Sequence, residues 1–145
     1  MKMITDNRKA FFEYHILDKY EAGIVLVGSE VKSANDGHMS LLDGFCRIEN
    51  GEIWLKNSYI KPYDKGSHYN TTDRRDRKLL LHSHEIRKIS IAMRDSGITT
   101  IPLKAYFAKG KIKVEIATVR GKKLYDKRQT IKDRDIKRSL DRDLK

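Results

Sequence analysis

The sequence predicts a mainly β protein with two inserted helices: a small, closed or nearly closed antiparallel barrel followed by a basic C-terminal tail that is disordered or helical. Three observations carry this. Short β-rich segments recur in antiparallel pairs, giving about five or six strands. Asn50-Gly51 and Lys109-Gly110 sit between strand-like runs where tight hairpins would turn. From Arg120 onward the composition changes, because the last 26 residues hold 11 Lys+Arg against 5 Asp, a net +6 of the chain's +11. The expected division is therefore a barrel over residues 1–119 and a tail over 120–145, which suits 145 residues better than two full domains do.

Taken in order, Glu13–Leu17 reads as a short strand and Tyr20–Val27 (YEAGIVLV) as a longer one, aliphatic and β-branched. Gly28 stops it. Ser29 is placed to cap a short helix, SEVKSAND, which Gly37 would end in the left-handed conformation that helix C-termini favour. The stretch SLLDGFCRIENGEIWLKNSYI folds back at Asn50-Gly51, a pair suited to a type I′ turn. Residues Pro62–Asp76 are polar and read as a surface loop. After Leu79–Leu81, Ser83 would cap a helix reaching about Ser96, with Ile86, Ile89 and Met93 inward and Arg87 and Arg94 outward. The runs TTIPLKAYFA and KIKVEIATV form the second hairpin, in which Ile112, Val114 and Ile116 face one way and Lys111, Lys113 and Glu115 the other.

A net charge of +11 and a sequence pI near 9.7 point to a polyanionic partner, with nucleic acid ahead of membrane. No apolar run approaches the roughly 20 residues of a spanning helix, and MKMITDNRKAFF lacks the apolar stretch of a signal peptide. With a single cysteine, Cys46, the expectation is a cytoplasmic protein without internal disulfides. Placed on a helix, Lys123, Lys127, Arg134, Arg138 and Arg142 share a stripe of about 100°, while Ile136, Leu140 and Leu144 make only a narrow apolar strip. Such a tail gains little from burial and gains order by neutralising phosphate. Lys32, Arg74, Arg75, Arg77 and Lys78 are expected to add positive surface beyond it.

Catalytic chemistry finds less support. His82 and His84 would share a strand face, but two ligands do not complete a metal site. Cys46, inside a strand-like run, reads as a buried thiol. The acids are interleaved with cations in DRRDRK and KDRDIKR, as in a salt-bridged surface, and do not converge as a metal-dependent nuclease requires. That nuclease and a structural rRNA-binding protein remain the alternative classes.

Five separated motifs, NRKA…EY (Asn7–Tyr14), YEAGIVLVGSEVKS (Tyr20–Ser33), RKLLLH (Arg77–His82), PLKAYF (Pro102–Phe107) and GKKLYDKR (Gly121–Arg128), together resemble the SsrA-binding protein (small protein B) family, colinearly over nearly the whole chain. The resemblance implies an oligonucleotide-binding-fold-like barrel and a binding protein with no enzyme activity and no cofactor. The implied partner is transfer-messenger RNA, held near the elbow of its tRNA-like part during rescue of stalled ribosomes. The ribosome is the second partner, its decoding centre and messenger channel in small-subunit rRNA being read by the tail. A GTP-bound elongation factor is an indirect one; a monomer and no membrane contact are expected. Carried over by motif, Asn7, Glu21, Leu80 and Lys113 are the RNA-binding residues. Gly121, Lys122, Lys123, Tyr125, Asp126, Lys127 and Arg128 fall in the ribosome-reading motif, with Arg134 and Arg138 continuing its basic stripe. Leu80, in the middle of Leu79–Leu81, also reads as core. The chain departs from the family after GSEVKS, where Asn35 and His38 stand in place of two cations.

Overall fold

The computed structural model describes residues 1–62 and 73–121. Its elements run β1 (Lys2–Asp6), α1 (Arg8–Glu13), β2 (Tyr14–Ile24), α2 (Gly28–Asn35), β3 (Met39–Ser40), β4 (Phe45–Glu49), β5 (Glu52–Lys56), β6 (Tyr59–Ile60), β7 (Arg77–Leu80), α3 (Ser83–Ala92), β8 (Ile98–Ala108) and β9 (Lys111–Gly121). The architecture is mainly antiparallel β, as expected, with three helices where two were expected. Strands pair in the order β8-β4-β5-β7-β2-β9, and β9 pairs back onto β8, which closes a six-stranded ring. Closure leaves these six strands no open edge. Beyond the ring, β1 pairs with β8, and β3 and β6 make a separate two-stranded ribbon.

Two hairpins set the register. Asn50 and Gly51 both have positive φ, +54° and +77°, and Lys109 and Gly110 repeat this at +53° and +74°. Both are therefore tight turns whose twist matches the strands. Along β9, Ile112, Val114, Ile116 and Thr118 are buried, while Lys111 is exposed and Lys113 and Glu115 half-buried, the predicted alternation. The interior is completed by Ala22, Cys46, Ile53, Leu55, Leu79 and Ala105, with Ile89 of α3 fully buried among them.

The alternation fails at Ala117 and Val119, which should face solvent and are fully buried. They pack with Ala10, Ile101 and Leu103, because α1 lies over the outside of β8 and β9. Helix α1 occupies residues expected to remain irregular or to begin a strand. Six residues are too few for a periodic signal or for stability in isolation, so packing of Ala10 has to hold the helix. Strand β2 joins the two runs read separately: a register shift between Ile16 and Asp18 accommodates the polar Asp18-Lys19 step, and the strand ends at Ile24. Helix α2 starts two residues earlier than expected, with Val27 in place of Ser29 at the cap position, and Gly37 follows it at φ +86°. Helix α3 likewise has His82 at its cap position and ends at Ala92. Its Ile89 is buried and Ile86 and Met93 pack beside it, as the spacing predicts.

Candidate nucleic-acid interface

Three of the four barrel residues assigned to RNA meet on one outer surface. In register, Gly23 of β2 lies opposite Leu80 of β7 on one side and Lys113 of β9 on the other, and Lys113 lies opposite Tyr106 of β8. The next outward row is Glu21, Glu115 and Lys104. Glu21, Gly23, Leu80 and Lys113, with Leu81, His82 and Glu85 from the start of α3, line a recess of about 310 Å³. Leu80 is 52% exposed, whereas Leu79 is 2% exposed, so the strand's alternation separates the buried from the exposed side chain within the Leu-Leu-Leu run. Lys113 makes no ion pair among the described residues. Glu21 accepts a hydrogen bond from the Tyr106 hydroxyl. Burial, and then that bond to Glu21, push the Tyr106 phenol well above its ordinary pKa, which keeps it protonated. A surface with the Lys113 cation, the carboxylates of Glu21 and Glu85, and an exposed aliphatic side chain beside Gly23 suits a folded RNA's phosphates, base edges and sugar faces together.

Asn7 stands elsewhere. It is 7% exposed, its side-chain amide donates to the Pro102 carbonyl at 3.1 Å, and its backbone N–H donates to the Leu103 carbonyl at 2.7 Å. The residue ties the start of α1 to β8. It also lines a recess of about 220 Å³ with Lys9, Tyr14, Leu42 and Phe45, separate from the Glu21–Lys113 surface.

The basic surface expected from Arg75, Arg77 and Lys78 is corrected by the structure. Arg77 is fully buried; its Nη2 and Nε donate to Glu30 Oε2 at 2.7 and 3.0 Å, and its Nη1 donates to both the carbonyl and the hydroxyl of Ser58 at 3.0 Å. Arg75 Nη2 donates to Glu30 Oε1 at 2.7 Å. Lys78 pairs with Glu52 at 2.7 Å. Burial alone would raise the Glu30 pKa, but the hydrogen bonds from Arg75, the Val27 N–H and Arg77, with the Arg77 charge, outweigh it and hold the carboxyl below the usual range. Burial pushes the Arg77 guanidinium down despite Glu30. The cations of DRRDRK thus secure α2 and the ends of β6 and β7 to one another. Arg74 donates to the Asn57 carbonyl at 3.0 Å and lies over the Tyr59 ring.

The remaining candidates sort by burial. The His82 and His84 rings are exposed and stacked at 5.5 Å, and no group of three or more potential metal ligands occurs among the described residues. Cys46 is buried, and burial pushes its thiol far up, as expected of a core cysteine. His38 is exposed, and Asn35 accepts from Lys2 Nζ through its carbonyl at 3.0 Å. Gly121 is the last residue of β9, opposite Tyr14. Lys122, Lys123, Tyr125, Asp126, Lys127, Arg128, Arg134 and Arg138 lie outside the described residues. Sequence reading missed Tyr106 and Glu30. Tyr106 shares the outward parity of Lys104, a signal legible once β8 is placed, whereas nothing local marks Glu30 as a partner of cations 45 and 47 residues away.

Comparison with known proteins is consistent over the whole chain. The family model described as SmpB protein matches residues 4–145. The SsrA-binding protein of Arthrobacter sp. (strain FB24) is 53% identical over 137 residues, 94% of this chain and 88% of that protein. That of Trichodesmium erythraeum (strain IMS101) is 52% identical over 145 residues, 99% of this chain and 93% of that protein. A solved structure described as "tmRNA-SmpB: a journey to the center of the bacterial ribosome" superposes with a TM-score of 0.72 at 48% identity, covering 86% of this chain and 88% of that one. A family match spanning nearly every residue, joined to relatives at half identity and a common fold, places the chain in the SmpB family.

Proposed function

We propose that this chain binds the tRNA-like domain of transfer-messenger RNA and delivers that RNA to stalled ribosomes, acting by binding and not by turnover. The carrying observation is the match over residues 4–145 to proteins named for binding SsrA RNA. The barrel surface of Glu21, Leu80 and Lys113 receives the RNA, and Asn7 contributes through the α1–β8 junction it fixes. The tail from Arg120 onward engages the decoding centre and messenger channel through Lys122, Lys123, Tyr125, Asp126, Lys127 and Arg128, with the Arg134 and Arg138 stripe meeting rRNA phosphate. Delivery in the company of a GTP-bound elongation factor belongs to the same reading, as do a monomeric state and a cytoplasmic site of action. Its support is the resemblance alone.

The test is a gel shift of the full chain against transfer-messenger RNA with bulk tRNA as competitor. Transfer-messenger RNA should be retained at tRNA excess; equal competition contradicts the reading. With about six phosphate contacts the log–log salt dependence should have a slope near −5. Lys113→Ala should weaken binding and make that slope shallower by about 1.

A further inference from the structure

We propose that Tyr106 is a positioning residue that sets the RNA specificity of this face by holding the Glu21 carboxylate toward a hydrogen-bond donor of the RNA. The inference rests on the function proposed above.

A carboxylate on an RNA-binding surface is repelled by every phosphate, so it is useful only where it meets an N–H of a base edge or a 2′-hydroxyl. Meeting such a donor requires a fixed direction. Glu21 lies directly opposite Glu115 across the β2–β9 pair, and two like charges in that position repel. The two are drawn apart. Glu115 lies 4.0 Å from Lys104 Nζ, its register partner on β8, while Glu21 takes the hydroxyl of Tyr106, one outward row along. Tyr106 is itself well anchored: although its register partner Lys113 faces outward, Tyr106 is 5% exposed, and Lys104 Nζ stands 5.9 Å from its ring centroid. The phenol is thus a rigid donor that engages one carboxylate oxygen, Oε2. The other, Oε1, makes no hydrogen bond among the described residues, and the side chain borders the recess shared with Leu80 and Lys113. Pre-ordering the carboxylate lowers the entropic cost of the correct contact and fixes it where a wrongly placed phosphate would be repelled. Lys113 supplies attraction that any RNA satisfies; Glu21, aimed by Tyr106, supplies the discrimination.

Competition binding with Tyr106→Phe, Glu21→Ala and the double variant tests this. Tyr106→Phe should lower the preference for transfer-messenger RNA over tRNA about tenfold, leaving the salt slope unchanged because no phosphate contact is lost. In the Glu21→Ala background the same change should have no further effect. An unchanged preference, or an equal loss with and without Glu21, overturns the proposal. The hydrogen bond is read without RNA: a slowly exchanging Tyr106 hydroxyl proton should be visible by NMR in the wild type and absent in Glu21→Ala, and its absence in the wild type also overturns the proposal. A wild type that shows this proton yet prefers neither RNA would instead contradict the function proposed for the chain.

Discussion

Arg77 shows how one residue reverses the meaning of a motif. In DRRDRK it reads as surface charge, yet it has no solvent exposure and its guanidinium is met by Glu30 and Ser58. Removing one partner of such a pair leaves the other charge buried and alone, so Arg77→Ala should cost about 3–5 kcal/mol in chemical denaturation. A loss near that of a surface substitution would contradict the network. Glu30 makes the pair pH-dependent. Its carboxyl ionises at lower pH when folded, so its contribution is complete above the ordinary carboxylate pKa and fades as pH falls through the lower folded-state value. Glu30→Gln should therefore flatten the acid side of the stability–pH curve, and an unaltered acid limb would exclude Glu30 as a contributor. None of this is legible locally, because 45 residues separate Glu30 from Arg75 and composition cannot pair them. The outward place of Lys113 is legible from the alternation of β9, whereas Leu80, in the middle of an apolar run, enters through the family motif and reads by itself as core.

At the scale of elements, what could be read depended on whether the signal was local. Both hairpins were foreseen because their turn residues carry the left-handed geometry themselves. Gly51 has φ +77° with open space around a virtual Cβ, so Gly51→Ala isolates the backbone cost, about 1–2 kcal/mol of destabilisation. Gly28 also has open space but begins α2 without a positive φ, and Gly28→Ala should stabilise by about 0.4–1 kcal/mol. Thermal unfolding of the two variants should move in opposite directions; a shift of the same sign would contradict the assigned turn. Helix α1 was not foreseen, and the reason is physical: its stability comes from Ala10 against Ile101, Leu103, Ala117 and Val119, residues that the sequence separates by about 90 positions or more. The unexpected burial at Ala117 and Val119 was its only trace.

For the whole molecule, the barrel was predictable because antiparallel pairs joined by tight turns have few ways to hide their strand edges, and closure of β8 on β9 is the solution this chain adopts. The count was not: short strands such as β3 and β6, two residues each, carry no pattern of their own. The break in charge density near Arg120 remains the basis for assigning separate tasks to barrel and tail. Strand β9 itself runs through Gly121, and Arg120 pairs with Asp95 at 3.0 Å, so a cut that spares the ring falls after Gly121. The most direct measurement compares the full chain with a chain ending at Gly121 in two assays, transfer-messenger RNA affinity and tagging of nascent chains on stalled ribosomes. The shortened chain should bind the RNA within a few-fold of the full chain and fail to support tagging. Parallel losses in the two assays, or tagging that survives the cut, would contradict the division of labour between barrel and tail.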